Sequence, residues 1–284
     1  MKNTSNEGWS GGNNRGIEIA LQEGADWILL LNNDTVVSPK LLEVLAESSK
    51  TGTFGLLGPV INEFDRREVV QTEGVRFNPI GQNEFFARIP IADQGSSQSK
   101  ITEVDIVNGC AVAVSRAVFE KIGLIDERFF LICEESDLCL RAQAAGFKLG
   151  MINETLVWHK HSVSFARAAK PLQRYYGTRN LGLLLRKHPV GPERRGRFIS
   201  LMAYWRLSYH LYCHEIELNN RSGAHAVANG LADSLLGRFG QWSEKTSLIG
   251  ISIGLLFSCI SIGHNLLRSM HKFVPSTNKH RINI

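Results

Sequence analysis

Residues 27–31 read Trp-Ile-Leu-Leu-Leu, five apolar side chains that stop abruptly at Asn32-Asn33-Asp34-Thr35. A short apolar run without alternation is the signal of a strand covered on both faces, as in a parallel sheet. Helix signals flank it. Before it, Gly16 to Glu23 sets Ile17, Ala20 and Leu21 on one face, with Gly24 as the stop. After it, Ser38-Pro39 forms an N-cap and first-position pair that opens a helix to about Ser49. Phe54 to Val60 is the next strand. Such alternation predicts an α/β sandwich built on a largely parallel sheet.

The middle segment, Val69 to Asn108, has β-branched runs broken by Gly and Pro and reads as hairpins and loops, with a polar loop at Gln94–Lys100. Cys110 to Ser115 is a strand, followed by a short helix ending at Gly123. Glu134 to Ala145 is a helix stopped by Gly146, and Thr155 to Trp158 is a strand ending at His159. Beyond it the character changes. Residues 175–187, 198–218 and 224–236 read as helices rich in aromatic and aliphatic side chains. The 22-residue run Thr246–Leu267 then carries no formal charge.

Charge divides the chain in the same place. Residues 1–150 hold 14 Lys+Arg and 21 Asp+Glu, a net −7, whereas residues 151–284 hold 18 and 6, a net +12. The split reads either as two solvated faces of one domain or as an acidic working half beside a basic half that meets an anionic partner. With 43% hydrophobic and 21% charged residues, a disordered chain, a collagen and a multi-span membrane protein are excluded. Five scattered cysteines without a Cys-x-x-Cys argue against a disulfide framework or structural zinc. Met1-Lys2-Asn3-Thr4-Ser5 has no apolar core of a secretory signal, so the reading places the chain in the cytoplasm.

Four groups of residues carry candidate chemistry. Asp34 follows a strand end, where α/β sheets keep their ligand crevice, and its carboxylate suits a hard divalent cation; Asn-Asn-Asp is equally good turn chemistry. The glycine-rich stretch Gly8–Gly16 precedes a helix and would let a backbone approach an anion. Glu134-Glu135-Ser136-Asp137 sets three carboxylates at a helix start. There the dipole favours acids, and a crowded carboxylate can become a general base, although Asp137 and Arg141 are also spaced to pair. His159, with Lys160 and His161 beside it, is a metal ligand or a surface histidine, and Arg174 and Arg179 are phosphate contacts or solvated helix charges.

In order and spacing, these pieces resemble family 2 glycosyltransferases, in particular the rhamnosyltransferase-like bacterial branch. The carrying stretches are Gly8–Gly16, Leu30–Thr35, Val107–Cys110, Ile122–Phe130, Glu134–Ala142, Val157–His159 and Arg179-Asn180, spread over residues 6–190. The resemblance implies a nucleotide-diphospho-sugar transferase fold of type A, a Rossmann-like mixed sheet, as a catalytic domain over residues 1–190. A helical, membrane-associating tail over residues 191–284 follows it. It implies inverting transfer of a sugar, of hexosyltransferase type, from a nucleotide-sugar donor to a glycan or lipid-linked acceptor in cell-surface polysaccharide synthesis. The place of work is the cytoplasmic side of the plasma membrane.

By position, Asp34 and His159 become contacts for Mg2+ or Mn2+. Gly12, Asn14, Asn32, Asn33 and Arg179 become donor contacts, and Gly109 lines the acceptor side. Glu135 stands where the family usually has an aspartate base, with Asp137 as the fallback. The family also begins with strands that bind the nucleotide base, so about two βαβ units are expected to be missing and the sheet to have an unpaired edge. That leaves a second reading, a non-catalytic truncated remnant or a membrane-associated interaction module. The tail run contains Gly250-x-x-x-Gly254 and reads either as one membrane span or as an interfacial or core helix. Nucleic acid is not expected as a partner, because the basic residues of 160–206 lie on apolar-rich helices without a recognised binding motif.

Overall fold

A computed structural model describes residues 3–79, 85–89, 100–160, 170–189, 194–243 and 247–272. Residues 94–99 of the expected polar loop, and 161–169 and 190–193 of the basic stretch, lie outside the described residues. The elements run α1 (Gly8–Gln22), β1 (Trp27–Leu31), β2 (Thr35–Val37), α2 (Leu41–Ser49), β3 (Phe54–Glu63), β4 (Val70–Thr72), β5 (Gly74–Phe77), β6 (Phe86–Ile89), β7 (Ile101–Glu103) and β8 (Ala111–Ser115). There follow α3 (Arg116–Ile122), α4 (Glu134–Ala144), β9 (Lys148–His159), α5 (Lys170–Lys187), α6 (Arg194–Glu217), α7 (Arg221–Leu236) and α8 (Leu248–Lys272).

A seven-stranded sheet has the order β1-β8-β3-β9-β2, with β4 beside β3 and β7 beside β9; β5 and β6 form a separate hairpin. The α/β reading stands, but the largely parallel sheet does not. Among the described residues only β3 and β9 run parallel, and every other pairing is antiparallel. Trp27–Leu31 is an edge strand paired antiparallel to β8, not a buried parallel one. Its run looked continuous because each face has its own helical cover. Ile28 and Leu30 join α1, α3 and α4 on one side, and Trp27 and Leu29 join α2 on the other. Central β3 shows the same division, with Leu56 in the first cluster and Leu57 in the second, both fully buried.

The C-terminal helices pack on one another and on the hairpin, since Phe77 and Phe86 touch both the helical cluster and the sheet's cluster. In α8, Ile253 and Phe257 are buried against Tyr212 and Ala228. The Gly250-x-x-x-Gly254 face is spent inside the chain: a methyl at Gly250 would collide with the Asn229 side chain, and Gly254 backs onto Tyr212. Among the described residues no helix is long and apolar enough to cross a membrane.

Candidate functional site

Strand pairing gathers one side of the site. The antiparallel register Leu31↔Ala111 puts the end of β1 beside the start of β8, and the Asn32 amide donates to the Cys110 carbonyl at 2.9 Å. The register Thr35↔His159 puts the start of β2 beside the end of β9. Asn32-Asn33-Asp34, Asn108-Gly109-Cys110 and His159 therefore surround one cleft of about 420 Å³, closed by the start of α4 with Glu134 and Glu135.

Asp34 Oδ1 lies 3.0 Å from His159 Nε2. The amide of Gln71 meets His159 Nδ1 with its nitrogen at 2.9 Å or its oxygen at 3.2 Å. With the oxygen there, Nδ1 carries the hydrogen and Nε2 is left as a ligand, the usual support of a metal-binding imidazole. Among the described residues no group of three His, Cys, Asp or Glu is placed to hold a metal unaided. The Asp34–His159 pair fits Mg2+ or Mn2+ as a partial ligand set, which donor phosphates and water would complete. Trp9 Nε1 donates to Asn32 Oδ1 at 2.9 Å and fixes that amide at the cleft wall. Burial, then the Asp34 charge, pushes the Cys110 thiol up to about 12, so Cys110 lines the cleft as a neutral thiol.

Opposite stand the two glutamates. Burial raises the Glu135 carboxyl above its ordinary range, and burial together with the Glu135 charge raises Glu134 further. Glu134 Oε2 is buried and has no hydrogen-bond partner. Gly109 packs directly on Glu135: an added methyl would sit 3.1 Å from its Cβ and 3.3 Å from Trp9 Cζ2. Gly109→Ala is therefore expected to push the carboxylate aside by a few tenths of an ångström. Turnover should fall about tenfold while stability changes by less than ~1.5 kcal/mol, which steady-state kinetics beside a thermal melt would read.

The glutamates are presented by an unusual loop. Phe130, Ile132 and Cys133 all have positive φ, at 62°, 71° and 70°, a conformation that costs a non-glycine residue of order 1 kcal/mol or more. Asn180, fully buried on α5, overcomes this with its Nδ2, whose two hydrogens are shared among the carbonyls of Phe129, Leu131 and Ile132 at 2.7–2.8 Å. Arg179 donates to Arg128, Phe129 and Gly240 carbonyls and lies over the Tyr175, Tyr176 and Phe239 rings. The Phe130 carbonyl in turn accepts from the Trp9 amide at the start of α1, where a side chain at Gly8 would strike it.

Several expected donor contacts lie elsewhere. Arg179 is fully buried and its guanidinium is occupied by carbonyls, so it braces the loop and does not face the cleft. Asn14 is 2% exposed and clasps the Ile125 backbone in both directions, with Glu127 as a third partner. Gly12 sits inside α1, because the glycine-rich stretch is itself the helix and its first amides are met by Phe130. The fallback base Asp137 is fully buried and bound by Arg141 at 2.8 Å, Lys187 at 2.7 Å and His188 at 2.9 Å. Burial would raise its pKa, but hydrogen bonds from His188 and Lys187 and the Arg141 charge outweigh that and hold it low.

Asp137 is thus a tie between α4 and the end of α5, and Asp137→Ala is expected to cost about 3 kcal/mol by taking the buried carboxylate from Arg141, Lys187 and His188, of which Lys187 keeps Asp126 and Arg141 keeps the Ile122 and Leu124 carbonyls. Because the native pKa is depressed, this contribution is present at neutral pH and is lost as pH falls through the folded value. A denaturant titration at neutral and acid pH would show the variant's deficit shrinking on acidification.

Trp9, Glu134 and Asn180 were not singled out as site residues in the sequence. Trp9 and Asn180 stood inside motifs whose spacing was noticed without a role. The unpartnered oxygen of Glu134 has no signal in a linear chain.

The chain matches the family described as "Glycosyltransferase like family 2" over residues 2–178. It is similar to the low-salt glycan biosynthesis hexosyltransferase Agl10 of Haloferax volcanii, 27% identical over 179 residues, 62% of this chain and 56% of that protein. It is similar to the dTDP-rhamnosyl transferase RfbF of Shigella flexneri, 26% identical over 192 residues, 65% of this chain and 62% of that protein. The chain therefore spans between a half and two thirds of these relatives. The solved structure of GalNAc-T7 with UDP, GalNAc and Mn2+ is similar with a TM-score of 0.42 and 17% identity, over 56% of this chain and 31% of that one.

Proposed function

We propose that this chain, which belongs to the glycosyltransferase-like family 2, transfers a sugar from a nucleotide-diphosphate donor to a glycan or lipid-linked hydroxyl, with inversion at the anomeric carbon. The observation that carries the reading is the one cleft that sets Asp34 and His159 against two glutamates of raised pKa. Asp34 and His159 would hold Mg2+ or Mn2+, which offsets the charge growing on the departing diphosphate. Asn32, steadied by Trp9, and Asn33 offer amides to the donor.

Glu135 takes the acceptor's proton. A hydroxyl is a poor nucleophile until a base does so, and a carboxylate kept short of water has the proton affinity for it. Gly109, having no side chain, lets Glu135 and Trp9 pack against the backbone at the cleft wall and so fixes where that carboxylate stands. The setting is cell-surface glycan synthesis at the cytoplasmic side of the membrane. The exposed apolar side chains of α8, among them Leu248, Leu255 and Ile262, suit contact with a lipid surface.

Calorimetry with UDP, dTDP and GDP, each with and without Mn2+, tests the donor half of the reading. At least one should bind in Mn2+ and release its heat only there. No binding of any nucleotide in either condition would sink the assignment.

A further inference from the structure

A second cavity, of about 440 Å³, opens beside the first. Ile132 and Cys133 line both. Its remaining walls come from the β6 hairpin and from α5 and α6, with Phe86, Leu181 and Leu207 among them. The volume falls in the ~300–1,000 Å³ range of sites that enclose a small ligand. Its lining offers almost nothing for a sugar to hydrogen-bond; the charged or polar side chains on it are Arg206 and His210, both exposed on α6.

The position decides which substrate this cavity serves. The donor's phosphates belong at Asp34 and His159. The second cavity meets the cleft at Ile132-Cys133, the residues that lead directly into Glu134 and Glu135. A molecule lying along it would enter on the carboxylate side, where the acceptor hydroxyl must stand. An apolar trough with one guanidinium fits an apolar chain that ends in a phosphate, since burying such a chain is favourable and Arg pairs phosphate in a charge-assisted bond. The same helix leaves Phe198, Leu201 and Met202 exposed, as a helix lying against a lipid surface would.

We propose that this cavity holds the lipid chain of a lipid-phosphate-linked acceptor, with Arg206 at its phosphate; the assignment rests on the transferase reading above and narrows its acceptor from any glycan to a lipid-linked one. The probe is radiolabelled farnesyl diphosphate, measured by equilibrium dialysis in EDTA so that the Asp34–His159 pair holds no cation. Wild type should bind it. Ala203→Trp, which fills the trough, and Arg206→Glu, which reverses its charge at an exposed position, should each weaken binding by about tenfold or more. Inorganic diphosphate should compete poorly.

No binding by wild type, binding by both variants as tight as by wild type, or competition by inorganic diphosphate as effective as by the prenyl compound would overturn the proposal. Binding of nucleoside diphosphate in Mn2+ is read on the same samples and should be unchanged in both variants. That measurement separates a failure of the lipid site from a failure of the transferase reading.

Discussion

Glu135→Gln is expected to lower the turnover of sugar transfer by about 10²–10⁴-fold, the ordinary worth of a general base, without lowering thermal stability. The two effects separate because of how the carboxylate sits. Burial raises its pKa, so the ionised form is disfavoured in the folded chain. A carboxylate with a raised folded pKa contributes stability that is fully present below the unfolded pKa and is lost as pH rises through the folded value. Above that folded value nothing is left to lose, and below it the carboxyl is itself neutral, so a neutral amide of the same shape should not lower the melting temperature.

The acid limb of kcat/KM should also lie above the ordinary carboxylate range in wild type and vanish in the variant, since the base works only when ionised. Glu134→Gln is the companion measurement, because Glu134 also lines the cleft and its buried oxygen has no partner. Transfer within threefold of wild type in Glu135→Gln, with Glu134→Gln inactive, would move the base by one residue. Undiminished transfer in both would remove the glutamates from the chemistry.

How much of this was legible in the chain follows from which forces act locally. Asp34, His159 and Glu135 each carry a local signal, a strand end or a helix start, whereas Gly109 follows only from the family resemblance; all four line the same cleft. Strand direction was not legible. The run 27–31 reads the same whether its neighbour is parallel or not, and only the pairing with residues 111–115 makes it an antiparallel edge. Polar residues with a long reach were misread for a related reason.

Arg179 and Asn14 have the chemistry of ligand contacts, but a guanidinium or an amide serves a buried backbone carbonyl equally well. The carbonyls that claim them lie 50 to 111 residues away in sequence. The loop at 129–133 shows the limit most clearly. Nothing in Phe-Phe-Leu-Ile-Cys favours positive φ, and the conformation exists because Asn180 supplies what the local sequence opposes.

Asp34→Asn is expected to abolish the Mn2+ dependence of nucleoside-diphosphate binding, weakening it by about 10²-fold, while the melting temperature stays within the range of a surface change. The amide is the informative replacement. Asn is as good a turn residue as Asp, and its amide nitrogen can donate to the bare His159 Nε2 that the carboxylate faces at 3.0 Å, so the junction between β1 and β2 is preserved. What it removes is the charge, and a hard cation held by one imidazole and neutral oxygens has lost the anionic ligand that offsets its desolvation.

Asp34→Ala adds a structural loss, because buried His159 keeps Gln71 but loses its carboxylate partner. If the carboxylate were only a turn residue, Asn would bind nucleotide in Mn2+ like wild type and Ala alone would fail, with a lowered melt. If it is a cation ligand, Asn and Ala fail alike in calorimetry and differ only in the melt. Mn2+ paramagnetic resonance on the three proteins, which counts bound ion without a nucleotide, gives the same division independently. An Asn variant that retains the bound-ion signal and the nucleotide affinity would take the metal away from this pair of residues.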